Sequence, residues 1–262
     1  MAMITNIASH CLLLIHNQLN HLMKTFIQKW GITLYILLLS AHLYAQVLGE
    51  PYRTVQIVTK LLLLPLLILF LAMQDEFANA PKAKWLLILG LFGSFLGDAF
   101  LLSNDYFIPG MIAFMTTHIF NIIFFNGLHG VGKPKTKKVI TFLIVLLAFC
   151  VFIFFQLKDA MGSLIYPILV YMLLICSAAL MAIQAGGNTK AHIISKLFWL
   201  PGMLFFITSD TVLAFNKFSW EKTGPHIANI GLVTMLTYGI AQLLLVKGFQ
   251  LYFKQKSISQ AV

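Results

Sequence analysis

Two aspartates, Asp98 and Asp210, interrupt runs of apolar residues long enough to cross a membrane. An ionisable side chain at membrane depth is costly to bury, so it normally faces a polar interior and serves a function. The surroundings of the two are alike, Gly97-Asp98-Ala99-Phe100-Leu101 and Ser209-Asp210-Thr211-Val212-Leu213. Two carboxyl groups converging on one low-dielectric pocket would share a proton, one acting as acid while the other carries charge. The structural alternative is a buried ion pair or a helix-end cap. The remaining acids (Glu50, Asp75, Glu76, Asp105, Asp159 and Glu221) fall in loops or at helix ends and read as solvated charges.

Other polar residues occur at depths that could join them. Lys60 lies one turn from Gln56 near the start of the second apolar run. It either snorkels to the interface or pairs with an aspartate or an anionic lipid headgroup. His118 and Asn121 share a helix face, suited to a proton relay, a substrate hydrogen bond or an interhelical bond. Tyr238 and Gln242 continue a stripe begun by Gly231 and Thr234, so they face protein or a pocket rather than lipid. Tyr166, before Pro167, is a pocket residue or part of an interfacial aromatic belt. His42, Tyr44 and Gln46, at the end of the first run, could line the same site. No metal or cofactor is expected, because H-E-x-x-H, Cys/His quartets, P-loops and Gly-x-Ser-x-Gly elbows are all missing from the sequence. Asp98, His118 and Asp210 would need a further ligand to hold zinc, for which His42 and His226 qualify by depth alone. Cys11, Cys150 and Cys176 have no metal-type or CxxC spacing.

The elements that must position these groups follow from composition. The 262 residues are 60% hydrophobic and only 10% charged, against about a quarter charged in a soluble domain. The chain therefore reads as an all-α polytopic membrane protein, with eight candidate spans at about 30–48, 54–73, 84–103, 107–128, 138–157, 162–184, 196–216 and 226–247. Turn residues such as Gly49-Glu50-Pro51, Asn79-Ala80-Pro81 and Gly186-Gly187-Asn188 separate them. Residues 1–22 read as an N-terminal extension (an upstream start or an interfacial segment), 23–250 as the membrane domain and 251–262 as a basic tail.

The net charge of +10 raises the question of nucleic acid, but the basic residues lie in short loops, which membrane topology explains without such a partner. Thirteen of the 18 Lys and Arg fall on the N-terminal side, placing both termini in the cytoplasm, with a bacterial inner membrane as the expected location. Asp98, Asp210 and Lys60 then share a depth near the outer face. The two aspartates are 112 residues apart in matching contexts, compatible with a four-plus-four internal repeat.

In its ordered motifs the chain resembles the YhhN family of integral membrane proteins, which includes the lysoplasmalogenases. The resemblance rests on Lys60-x-x-x-x-Pro65, Gly97-Asp98-x-x-Leu101, Gly110-x-x-x-Phe114-x-x-x-His118, Ser209-Asp210-x-x-Leu213-Ala214, Lys217-Phe218 and Tyr238-x-x-x-Gln242. The family pattern places a tyrosine three residues after the histidine, where this chain has Asn121. The resemblance implies cleavage of the vinyl ether bond of a lysoplasmalogen to a fatty aldehyde and a glycerophospho-ethanolamine or -choline. Asp98 and Asp210 would be the catalytic pair and Lys60 the phosphate ligand. His118, Tyr238, Gln242, Asn121, Gln56 and Tyr166 would line the substrate pocket. Acid-assisted vinyl ether hydrolysis needs a proton donor and a carboxylate that stabilises an oxocarbenium ion, as paired carboxyls do in glycoside hydrolysis. From the residues alone, a proton-coupled lipid or solute transporter is the competing reading, and a metal-dependent lipid hydrolase a third.

Overall fold

The computed structural model describes residues 2–128, 136–220 and 230–261. His226 and the loop lysines Lys133, Lys135 and Lys222 lie outside the described residues. Long helices follow one another as α1 (Ala2–Leu48), α2 (Arg53–Ala72), α3 (Pro81–Phe100) and α4 (Phe107–Asn126). They continue as α5 (Thr136–Met161), α6 (Ile165–Ala185), α7 (Leu200–Phe215) and α8 (Ile230–Ala261). Among the described residues there is no strand. π-helical turns at Ser195–Trp199 and Asn216–Trp220 extend α7 at both ends, giving one helical rod from His192 to Ser219.

Seven stretches are long and apolar enough to cross a membrane, and one of them, Lys137–Ala185, contains both α5 and α6. These two fold back on each other, since Cys150 Sγ lies 3.1 Å from Cys176 Sγ. The reversal occurs at Gly162, whose φ of +54° suits a residue without a side chain. Eight membrane-length helices result among the described residues. The turn between α1 and α2 uses Gly49 in the same way, at φ +81°, and Pro81 occupies the first turn of α3, where its missing N–H costs nothing.

Helix α1 runs unbroken from Ala2 into the first span, and α8 continues to Ala261. Lys24 of α1 donates to Asp75 in the α2–α3 turn, an exposed pair that holds the Asp75 carboxyl below the usual carboxylate range.

Neighbouring helices pack in a ring running α1, α2, α3, α4, α6, α7, α8 and back to α1, while α5 lies outside against α6. Phe152 and Phe155 of α5 are exposed accordingly, as expected for a lipid-facing surface. Small residues set the closest approach. A Cβ on Gly93 would stand 2.9 Å from the Ala113 carbonyl oxygen, and one on Gly97 would stand 2.5 Å from the Phe114 ring, so α3 presses directly onto α4. The half of the bundle nearer the termini is filled by aromatic side chains. Trp199 packs on Phe125 at 5.3 Å between ring centroids and Phe124 on Phe249 at 4.9 Å. The polar side chains singled out in the sequence lie toward the other end, where α3 and α7 finish.

Candidate active site

Asp98 is 3% exposed and sits two residues before the end of α3. Its Oδ2 accepts a hydrogen bond from the Tyr238 hydroxyl of α8 at 2.8 Å. Its Oδ1 lies 3.7 Å from the Lys60 ammonium of α2. Three helices thus meet on one carboxyl group. Behind it, Gln242 Nε2 donates to Ser94 Oγ at 2.9 Å, Ser94 and Thr117 hydroxyls lie 3.0 Å apart, and Thr117 donates to the Gly90 carbonyl at 2.9 Å. This buried relay ties α8, α3 and α4 together and fixes the azimuth of α3. Gln242 thus sits at the helix interface behind Asp98.

Asp210 lies five residues before the end of α7 and belongs to a second group. Its Oδ2 accepts from the Tyr171 hydroxyl of α6 at 2.5 Å. His118 Nε2 of α4 lies 3.2 Å from the same hydroxyl. With Tyr171 donating to Asp210, His118 must donate its Nε2–H to the tyrosine oxygen, which leaves Nδ1 without a proton. That Nδ1 is buried without a hydrogen-bond partner. The ring is held edge-on against Phe206, 4.8 Å between centroids. Asn121, one turn along α4, is buried but makes none of these bonds. No hydrogen bond joins the two aspartates among the described residues; each has its own hydroxyl donor. A helix rise of about 1.5 Å per residue places Tyr171 and Asp210 both roughly 8–9 Å below the same end of the bundle.

Two cavities adjoin these groups. One is polar, bounded by His42, Gln46, Arg53, Gln56 and Lys60 of α1 and α2, with Leu101 also in its wall. The other is apolar, bounded by Leu101, Met111, Phe114, Ile168 and Phe218 with Asp210 and Tyr171 as its polar members. Leu101 borders both. A further apolar space extends from Asp210 and Tyr171 along α5 and α6, past Cys150 and Cys176.

The structure places the sequence candidates differently. Lys60 and Tyr238 are brought to Asp98, and His118 is linked to Asp210 through Tyr171. Gln56 borders the polar cavity while its amide caps α1, donating to the Ala45 and Gly49 carbonyls at 2.9 and 3.1 Å. Tyr166 is not brought to either group, and its side chain is 77% exposed. Tyr171 was not singled out, although a lone hydroxyl in the apolar run Ile168–Leu173, at the depth of Asp210, was a usable signal. Among the described residues no cluster of three or more His, Cys, Asp or Glu is arranged to hold a metal.

The YhhN family model matches residues 55–249, which contain α2 to α7, most of α8 and both hydrogen-bonded groups. The chain belongs to the YhhN family. Within the YhhN family its similar relatives include lysoplasmalogenase TMEM86B of Mus musculus, 28% identical over 169 residues, covering 64% of this chain and 65% of the relative. Lysoplasmalogenase TMEM86B of Homo sapiens is 29% identical over 152 residues, 58% of each chain. Lysoplasmalogenase TMEM86A of Homo sapiens is 29% identical over 174 residues, 64% of this chain and 66% of the relative. The chain thus spans slightly less than two thirds of the length of the relatives it matches. No solved structure matches this YhhN chain.

Proposed function

We propose that this YhhN protein is a membrane-embedded hydrolase that cleaves the vinyl ether bond of lysoplasmalogens, with Asp210 as acid and Asp98 as base. The observation that carries this reading is a cationic cavity and an apolar one that share Leu101, with Asp210 in the wall of the apolar one and Asp98 paired with Lys60 of the polar one. An amphiphile with an anionic headgroup and one hydrocarbon chain fits that division, and its ether linkage falls between the carboxyls. The relatives named lysoplasmalogenase support the same substrate class.

The roles follow from the partners. Asp98 faces Lys60 and holds the negative charge. Asp210 has a hydroxyl partner and apolar walls, so it holds the proton. Asp210 gives that proton to the β-carbon of the enol ether, whose C=C electron pair forms the new C–H bond. Positive charge then develops on the α-carbon and ether oxygen, where the Asp98 carboxylate stabilises it. Water adds to the α-carbon as Asp98 takes its proton, giving a hemiacetal. Asp98 returns that proton to the ether oxygen as the C–O bond breaks, and the hemiacetal hydroxyl proton goes to Asp210. One water is consumed, a fatty aldehyde and a glycerophospholipid alcohol leave, and both carboxyls regain their starting states. Tyr171 and His118 orient Asp210 and stabilise it while it is briefly charged.

The lysine distribution supports an orientation with both termini in the cytoplasm and the polar cavity at the outer face, in a bacterial inner membrane on this reading. The aromatic packing around Trp199, Phe125 and Phe249 fills the other half, which favours a one-sided site over a transport path. The test is incubation of purified protein with lysoplasmalogen and with its saturated alkyl-ether analogue, following aldehyde by mass spectrometry. Cleavage of the vinyl ether alone is expected; cleavage of neither lipid overturns the proposal.

A further inference from the structure

The polar cavity carries unpaired groups that vinyl ether cleavage does not use. His42, 1% exposed, places Nδ1 2.9 Å from the Thr59 hydroxyl. That hydroxyl already donates its proton to the Val55 carbonyl at 2.6 Å. His42 must therefore donate through Nδ1–H, and its Nε2 is left as an unprotonated acceptor. This Nε2 is buried and has no hydrogen-bond partner. One turn further along α1, Gln46 Oε1 is a second buried acceptor without a partner, while a Cβ on Gly231 would lie 3.6 Å from the amide nitrogen of the same side chain. Both residues border the cavity that also holds Lys60 and Arg53. Buried polar atoms are rarely left unpaired, because each forfeits its bonds to water.

Two acceptors at i and i+4 on one helix face are about 5–6 Å apart at their Cβ atoms. A group that satisfies both must offer at least two N–H or O–H bonds from one centre. We infer that His42 and Gln46 bind the primary ammonium of an ethanolamine headgroup, whose phosphate lies on Lys60 and Arg53, and so select ethanolamine over choline lipids. The trimethylammonium of choline has no hydrogen to donate and would leave both acceptors buried and dry. The phosphate between the ammonium and the two cations offsets their mutual repulsion. This inference rests on the proposed lysophospholipid substrate, but it concerns binding rather than cleavage.

The test separates the two. Uncleavable alkyl-ether lysolipids with ethanolamine or choline headgroups are titrated into the detergent-solubilised full chain, and binding is read by native mass spectrometry. The expected result is tighter binding of the ethanolamine lipid by about tenfold or more, the factor a hydrogen bond to a charged group supplies. Gln46→Leu should remove most of that preference by weakening ethanolamine binding while leaving choline binding within about twofold. Folding of the variant is checked by its thermal unfolding, and His42→Gln, which keeps an acceptor, serves as a second variant that should retain part of the preference. Equal binding of both headgroups by the unaltered protein overturns the inference, as does a Gln46→Leu loss shared equally by both. Selective binding without aldehyde release from the vinyl ether substrates would uphold this inference and overturn the hydrolase instead.

Discussion

Replacing Lys60 by methionine keeps most of the aliphatic stem and removes one charge from beside Asp98. The two groups are 3.7 Å apart, with side chains only 17% and 4% exposed, so solvent screens them little. At an effective dielectric constant of about 20, that separation corresponds to roughly 4 kcal/mol of attraction. Removing one partner of a buried pair strands the other, a loss of about 3–5 kcal/mol. The Tyr238 hydroxyl remains on Oδ2 and moderates the loss without replacing the cation. Lys60→Met should therefore destabilise the protein strongly, Asp98→Asn should do so too, and the double variant should be less destabilised than the two losses added. A coupling energy of about 2–3 kcal/mol is expected. The assay is reversible unfolding of all four proteins in mixed micelles, followed by circular dichroism. Losses that add to within about 0.5 kcal/mol would refute the pairing, and with it the assignment of Asp98 as the charged carboxyl.

The chemistry, the packing and the surface charge give four further expectations. Asp98→Asn and Asp210→Asn should each lower aldehyde release by about 10²–10⁴-fold, the usual contribution of a positioned acid or base; full activity in either removes the two-carboxyl mechanism. Tyr171→Phe keeps the ring against His118 but removes the hydroxyl on Asp210, so kcat should fall by about tenfold or more with KM little changed. An unchanged kcat would make that hydroxyl a packing detail. Gly93→Ala inserts a methyl group 2.9 Å from the Ala113 carbonyl oxygen, and the overpacking should destabilise by about 1–3 kcal/mol in the same unfolding assay. At the other end of the bundle, the depressed Asp75 carboxyl contributes stability that is present above the ordinary carboxylate range and lost as pH falls through its lowered value. Being exposed, the Lys24–Asp75 pair is worth at most about 1 kcal/mol, so Asp75→Asn should flatten a shallow acid-side slope and nothing more.

Most of the architecture was legible before any coordinates. Apolar run length and turn residues predicted the helices to within a few residues at most ends, because membrane-length helices satisfy their backbone hydrogen bonds locally and need no knowledge of neighbours. The exceptions were ends that continue past the bilayer. Helices α1 and α8 persist well beyond their apolar cores, where hydropathy stops being a guide although helix formation does not stop. The level of Lys60 and Asp98 was legible too: counting residues from each helix end puts them together, and they lie 3.7 Å apart.

Azimuth was not legible. Depth is a property of one helix, whereas a contact between helices depends on how each is rotated about its axis. That rotation is set by packing such as Gly97 against Phe114 and by the Gln242–Ser94–Thr117 relay. Hence Tyr166 and Tyr171, five residues apart on α6, end up differently: the first is exposed and the second holds Asp210. The sequence by itself shows two carboxyls and a lysine inside apolar helices of membrane length, because run length and composition are properties of one helix at a time. Only the tertiary structure decided that Lys60 and Tyr238 belong to Asp98, that Tyr171 and His118 belong to Asp210, and that a polar and an apolar cavity share Leu101 in their walls.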